Sequence, residues 1–109
     1  MAGIQESETI DLVAQAADGR VLIVMIETRK WGSDPLQPNQ LKAKINTYAQ
    51  FALDGGLLDG YPQTAGQPIT IRLDCSDDPS NEIAEIISAA SAKLEPFDIE
   101  VAVNINGQL

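Results

Sequence analysis

The chain has 109 residues, a length typical of one domain, and 44% of them are hydrophobic, which favours a globular fold over a disordered one. Sixteen Asp and Glu against seven Lys and Arg give a formal net charge of −9, which disfavours binding to nucleic acid or to an anionic membrane. The single cysteine excludes a disulfide within the chain and favours a reducing, cytoplasmic location.

Residues 1–8 are polar and acidic, and they lack the basic and apolar stretches of a signal peptide. We expect a disordered tail here, within a single domain that spans 1–109. The longest apolar run, 21–26, is far shorter than the ~20 residues that cross a bilayer.

The first half of the chain predicts a hairpin followed by a helix. Residues 9–15 alternate in hydropathy as a strand does, and Asp18-Gly19 favours a tight turn. Residues 21–26 are apolar at every position, which is typical of a central strand. A helical stripe follows Pro38, with Asn39 as the expected N-cap, and Gly55-Gly56 ends it.

The second half predicts a strand, a helix and a final strand. After a long connection at 57–67, residues 69–75 alternate in hydropathy. Asp78-Pro79 is a helix start with Asp78 as the capping carboxylate, and Pro96 ends that helix. Residues 99–105 alternate again as a fourth strand.

The order β-β-α-β-α-β predicts an α/β fold of the α+β two-layer sandwich type. We expect a four-stranded mixed sheet in the order 1-2-3-4, with the first strand antiparallel to the others. Two right-handed crossovers that advance in one direction place both helices on one face.

No catalytic constellation is visible in the sequence. Histidine is absent, which removes the commonest general base and the commonest metal ligand. Cys75 is in phase with the apolar side of its strand, so we expect a buried thiol. We therefore predict no catalytic residue, no metal site and no cofactor, which favours a binding protein over an enzyme.

Two surfaces are candidates for binding. If the loop after the second strand folds over the first helix, a cationic, aromatic pocket for a small anion forms from Arg29, Trp31, Lys44 and Tyr48. The alternative is that Trp31 fills the core and Lys44 is solvated. The second surface is the sheet face without helices, where a dimer interface is predicted at Val13, Leu22, Val24, Ile26 and Arg72.

The chain resembles a family of short bacterial proteins that is described only as a domain of unknown function. The resemblance rests on Glu27-x-Arg29-x-Trp31 and on Lys44-x-Asn46-x-Tyr48-x-x-Phe51. It covers nearly the whole chain and implies no substrate, cofactor or catalytic residue.

The sequence thus predicts a small cytoplasmic binding domain that forms a homodimer. Two alternatives stay open: a small anion- or metabolite-binding protein or enzyme that uses the loop–helix pocket, and an acidic inhibitor or immunity-type protein with a basic protein partner.

Overall fold

The computed structural model describes residues 3–6 and 8–105. In chain order its strands and helices are β1 (Leu12–Gln15), β2 (Val21–Glu27), α1 (Gln37–Leu53), α2 (Gly56–Gly60), β3 (Ile69–Cys75), α3 (Asn81–Leu94) and β4 (Ile99–Ile105). The predicted order is confirmed, with the short helix α2 and a 3-10 turn at Pro62–Thr64 inside the connection that precedes β3.

The four strands form one mixed sheet in the order β1-β2-β3-β4. β1 pairs antiparallel with β2, whereas β2, β3 and β4 run parallel. Parallel neighbours need crossover connections, and α1 and α3 provide them. The predicted sheet order and strand directions are therefore confirmed.

Both long helices cover the same face of the sheet. The apolar odd-numbered residues of β2 and β3 and the buried apolar residues of α1 and α3 belong to one cluster, and α1 contacts α3 directly. The buried members of this cluster on the strands and long helices include Ile23, Met25, Ile45, Tyr48, Ile71, Ile83, Ile87 and Val101. The predicted two-layer α+β architecture is confirmed.

We call the opposite side of the sheet, to which the even-numbered residues of β2, β3 and β4 point, the open face. Val24 lies on this side; it is only 1% exposed but does not belong to the core cluster. Its neighbours across the sheet are Leu12 on β1 and Arg72 on β3.

The prediction for the phase of β1 is wrong. Val13 lies opposite Ile23 and packs against the core, while Leu12 and Ala14 lie opposite Val24 and Leu22 on the open face. The turn explains the difference, because Ala16 pairs with Arg20 around three loop residues and Gly19 has a φ of 94°. A two-residue turn at Asp18-Gly19 would shift the register by one residue and reverse every side chain of β1.

Both helix starts differ from the predicted caps. α1 begins at Gln37, with Leu36 rather than Asn39 at the N-cap and Pro38 in the first turn. α3 begins at Asn81, and the Ser80 side chain rather than Asp78 accepts the capping hydrogen bond, from the backbone N–H of Ile83.

The N-terminal segment is partly built into the core. Ile4 is fully buried, and its backbone N–H donates to the carbonyl oxygen of Ile26 at 3.1 Å. This placement differs from the disordered tail expected for 1–8; Met1, Ala2 and Ser7 lie outside the described residues. Across the described part of the chain, no helix is long and apolar enough to cross a membrane.

Candidate functional site

A buried carboxylate organises the loop 28–36 at the carboxyl end of β2. Glu27, the last residue of the strand, is 2% exposed. Its Oε1 accepts hydrogen bonds from the backbone N–H and Nε of Arg29 at 2.8 and 3.0 Å, and its Oε2 accepts from Arg29 Nη2 at 2.7 Å. Gln37 Nε2 also donates to Oε2, at 3.3 Å. These hydrogen bonds therefore connect the loop to both β2 and α1.

The electrostatics of Glu27 follow from these contacts. Burial raises the pKa of this carboxyl, but the hydrogen bonds from Arg29 and Gln37 and the charge of Arg29 outweigh burial, so the pKa is lowered from its ordinary value of 4.5. Arg29 also donates to Asp34 Oδ2 at 3.1 Å and to Gln40 Oε1 at 2.9 Å. Its guanidinium is thus held by partners from its own chain.

The loop places Trp31 beside a cavity of about 430 Å³ between the loop 28–36 and the start of α3. The indole Nε1 donates to the backbone oxygen of Asp77 at 3.1 Å, which links the segments that follow β2 and β3. Ligands of open α/β sheets commonly bind beyond the carboxyl ends of parallel strands. The cavity is lined by Trp31, Gly32, Asp34, Pro35, Gln37, Pro38, Ser80, Asn81, Glu82 and Ile83.

Cys75 ends β3 next to this region. It is 2% exposed, as predicted, and burial together with the charges of Asp74 and Asp77 raises the pKa of its thiol. A protonated, inaccessible thiol is a poor nucleophile. Within the described residues, no group of three or more His, Cys, Asp or Glu side chains is arranged to hold a metal ion.

A second polar cluster, which we call the gap cluster, consists of Asp11, Lys44 and Tyr48. It lies where β1 separates from β2, beyond the pair Leu12–Val24. The Tyr48 hydroxyl accepts from the backbone N–H of Asp11 at 2.8 Å and donates to the carbonyl of Val24 at 2.7 Å. The phenol therefore joins Asp11, just before β1, to Val24, the last residue of β2 that pairs with β1.

Lys44 completes the gap cluster and is fully buried. Its ammonium donates to Asp11 Oδ1 at 2.8 Å and to the backbone oxygens of Glu6 and Thr9 at 2.7 and 2.6 Å. The other carboxylate oxygen of Asp11 accepts from the backbone N–H of Ile26 at 3.2 Å. Each charge is thus paired and hydrogen-bonded, which offsets the cost of burying it.

The structure separates the four residues of the predicted anion pocket into these two groups. Trp31 lines a cavity, and Arg29 belongs to the network that supports the loop beside it. Lys44 and Tyr48 are fully buried beneath β1 and the N-terminal segment, so they do not line an open pocket. Two of the four hydrogen-bond partners of Lys44 are backbone oxygens, which carry no sequence signature, so its burial could not be predicted from residue spacing.

The open face carries an apolar stripe along β1 and β2. Across the described strands, the stripe consists of Leu12, Ala14, Leu22, Val24 and Ile26. Of the predicted interface residues, Leu22, Val24, Ile26 and Arg72 lie on this face and Val13 does not; Leu12 and Ala14 were missed. Leu12, on the edge strand β1, is 50% exposed.

The polar half of the open face is internally paired. Arg72 donates from Nε to Asp74 Oδ1 at 2.7 Å. Arg20 Nη1 donates to Thr70 Oγ1 at 2.8 Å, and the Thr70 hydroxyl donates to Glu100 Oε1 at 3.5 Å. The two guanidinium groups of this face are thus matched by two carboxylates.

The gap cluster makes a prediction about stability. Tyr48→Phe removes the hydroxyl and leaves the N–H of Asp11 and the carbonyl of Val24 without that partner. Each buried backbone group left unpaired costs about 1–3 kcal/mol, so the free energy of unfolding by urea should fall by that order. The matched control is Tyr61→Phe, at a tyrosine that is 37% exposed, and equal losses in the two variants would contradict the bridging role.

Glu27 makes a prediction about pH. Because its pKa is lowered by folding, the carboxylate contributes stability that is fully present above its unfolded pKa and is lost as pH falls through the folded pKa. The difference in unfolding free energy between the wild type and Glu27→Gln should therefore shrink as pH falls below about 4.5. Glu85→Gln, at an exposed residue of α3, controls for the change in net charge. A difference for Glu27→Gln that stays constant across this pH range would contradict the inferred shift.

Comparison with known proteins assigns the chain to a family without assigning an activity. No curated protein and no solved structure gives a significant match. A family model described as a family of unknown function, DUF6572, matches residues 2–107. This match covers both polar clusters and the whole sheet, so the chain belongs to DUF6572, a family of unknown function.

Proposed function

We propose that this chain is a non-enzymatic binding domain that self-associates through the open face of its sheet. The observation that carries the proposal is the apolar stripe at Leu12, Ala14, Leu22, Val24 and Ile26 on the face without helices, where Leu12 is 50% exposed and Val24 is already buried. A large branched side chain gains about 1.5–3 kcal/mol when it moves from water into a packed interface. Burial of Leu12 and of the half-buried Leu22 and Ile26 therefore favours association.

The distribution of charge supports a second copy as the partner. The described part of the open face carries Arg20, Arg72, Asp74 and Glu100, two charges of each sign. The rest of the chain therefore carries the whole net charge of −9. Two such acidic molecules repel one another over most orientations, and the open face is a surface on which this repulsion is locally balanced.

A two-fold arrangement suits this surface. Stacked sheets pack about 10 Å apart, with their side chains interdigitated. In a symmetric dimer the stripe of one protomer lies against the stripe of the other, and Arg72 approaches acidic residues of the partner. The result is a homodimer in which each stripe excludes water from the other.

Leu12 provides the test of this contact. Leu12→Asp introduces a carboxylate at a position already exposed in the single chain, so the fold should persist, whereas the dimer would have to bury the new charge. The mass measured by sedimentation should fall by about half. The control Leu58→Asp adds the same charge at another leucine, 46% exposed on α2, and should leave the mass unchanged. Equal masses for the wild type and Leu12→Asp would refute the open-face contact.

A second candidate function is the binding of a small molecule in the cavity beside Trp31. The cavity position at the carboxyl ends of β2 and β3 favours it. Its lining contains Asp34 and Glu82 but neither Lys nor Arg, so a neutral or cationic ligand suits it better than the small anion expected from the sequence. A cation over an indole ring is a favourable arrangement.

Trp31 reports on this cavity because it is the sole tryptophan of the chain. Titration with a panel of amino acids, quaternary amines and nucleosides should produce a saturable change in its emission if the cavity binds one of them. Glu82→Gln should weaken the response to a cation. A flat response across the panel would remove this candidate and leave Trp31 as a packing residue.

We also propose a cytoplasmic, bacterial protein. The free, buried thiol of Cys75 supports a reducing compartment. The acidic surface outside the open face would suit a basic protein partner, as the inhibitor or immunity-type alternative requires, and co-purification from native extract tests that alternative.

A further inference from the structure

The strand β4 leaves one edge of the sheet open. It is paired with β3 along one side through all seven residues from Ile99 to Ile105. Among the described residues, no strand pairs with its other side, and no loop donates a hydrogen bond to its backbone or accepts one from it. An unpaired row of N–H and C=O groups is a template for the addition of another strand.

β4 also lacks the features by which proteins block an exposed edge. Its sequence, IEVAVNI, contains no proline and no lysine, and Glu100 is its single charged residue. Val103 points to the helix side and is 36% exposed at the sheet margin. The opposite edge differs, because β1 has only four residues and the gap cluster takes up backbone groups where β1 leaves β2.

The sequence of β4 is complementary to itself in one register. When two copies run antiparallel about a two-fold axis at Ala102, all seven residues pair, and Glu100 lies opposite Asn104 rather than opposite a second glutamate. Val101 then lies opposite Val103, and Ile99 opposite Ile105. Like charges directly opposite one another are avoided, and the apolar pairs share the helix side.

We propose that β4 pairs with β4 of a second copy in this register, which joins two four-stranded sheets into one continuous sheet. The two-fold axis is perpendicular to the sheet, so both open faces point the same way. This contact is separate from the open-face contact and does not depend on it. Where both form, their perpendicular axes generate a closed tetramer with dihedral symmetry.

Cysteine cross-linking tests the register directly. Residues opposite one another in an antiparallel pair have Cα atoms roughly 4.5–5.5 Å apart, within the range of about 4.4–6.8 Å that a disulfide spans. Ala102→Cys should therefore give a covalent dimer on oxidation. In Asn104→Cys the two thiols are four residues apart along the strands, about 14 Å, and should not be linked. The native Cys75 is buried and stays out of the reaction.

Lysine substitution tests the same register without a covalent bond. Ala102→Lys places two ammonium groups opposite one another at the axis and should weaken this contact by about tenfold or more. Asn104→Lys adds the same charge on the same strand and face, but the new ammonium lies opposite Glu100 of the partner copy and should retain or strengthen the contact. Circular dichroism confirms that both variants are folded.

The outcomes separate this contact from the one on the open face. Cross-linking of Ala102→Cys but not Asn104→Cys, with dissociation by Ala102→Lys alone, supports the β4 pairing even if Leu12→Asp has no effect. Equal cross-linking of the two cysteine variants, no cross-linking of Ala102→Cys, or equal masses of Ala102→Lys and Asn104→Lys overturns it, whatever Leu12→Asp does.

Discussion

The connectivity of the three parallel strands is the constraint from which the rest of the structure follows. β2, β3 and β4 are joined through α1 and α3, and right-handed crossovers that advance in one direction deliver both helices to the same side. The apolar side chains that α1 and α3 bury therefore belong to one cluster with odd-numbered residues of the strands. The even-numbered residues receive no helix, so the open face and the free edge of β4 are consequences of the same topology.

The gap cluster supplies hydrogen-bond partners at the β1 edge of the sheet, where β1 is shorter than β2. β1 pairs with β2 for only four residues, yet β2 continues through Glu27 as an otherwise central strand. The backbone of β2 beyond Val24 needs partners, and Asp11 and Ile4 provide them at Ile26, while Tyr48 donates to the carbonyl of Val24 itself. Lys44 neutralises Asp11 and fixes the segment that contains Glu6 and Thr9. A buried ion pair thus takes the place of an extension of β1.

Sequence periodicity was sufficient for the strands, the long helices and the sheet order, because these depend on apolar spacing and on the handedness of crossovers. It failed for β1, because both sides of this strand carry apolar residues. One additional residue in the turn then decides which side faces the core. The caps failed for a related reason. Ser80 and Asp78 are both good capping residues, and the sequence alone did not show which of them caps α3.

The candidate binding residues also show that sequence patterns do not reveal which side chains meet in the fold. Arg29, Trp31, Lys44 and Tyr48 were correctly identified as unusual, but spacing along the chain did not reveal that their partners are Glu27 and Asp11. A carboxylate in an acidic chain looks like surface charge, and its burial becomes visible only when the guanidinium or ammonium beside it is located. Of the open-face residues, the four on β2 and β3 could be placed from alternation alone, since a long strand paired on both sides has a fixed phase.

The distribution of charge between the interior and the surface affects how copies of this chain can contact one another. A chain with a net charge of −9 resists contact with its own copies unless the contact surface is locally neutral. The open face meets this condition because it carries two guanidinium groups and two carboxylates, and β4 comes close to it because Glu100 is its single charged residue. Two cations are paired within the fold: the buried Lys44 with Asp11, and the partly exposed Arg29 with Glu27. If the chain self-associates as proposed, the remaining acidic surface disfavours other orientations, and net charge then gives specificity to the contact of a small domain.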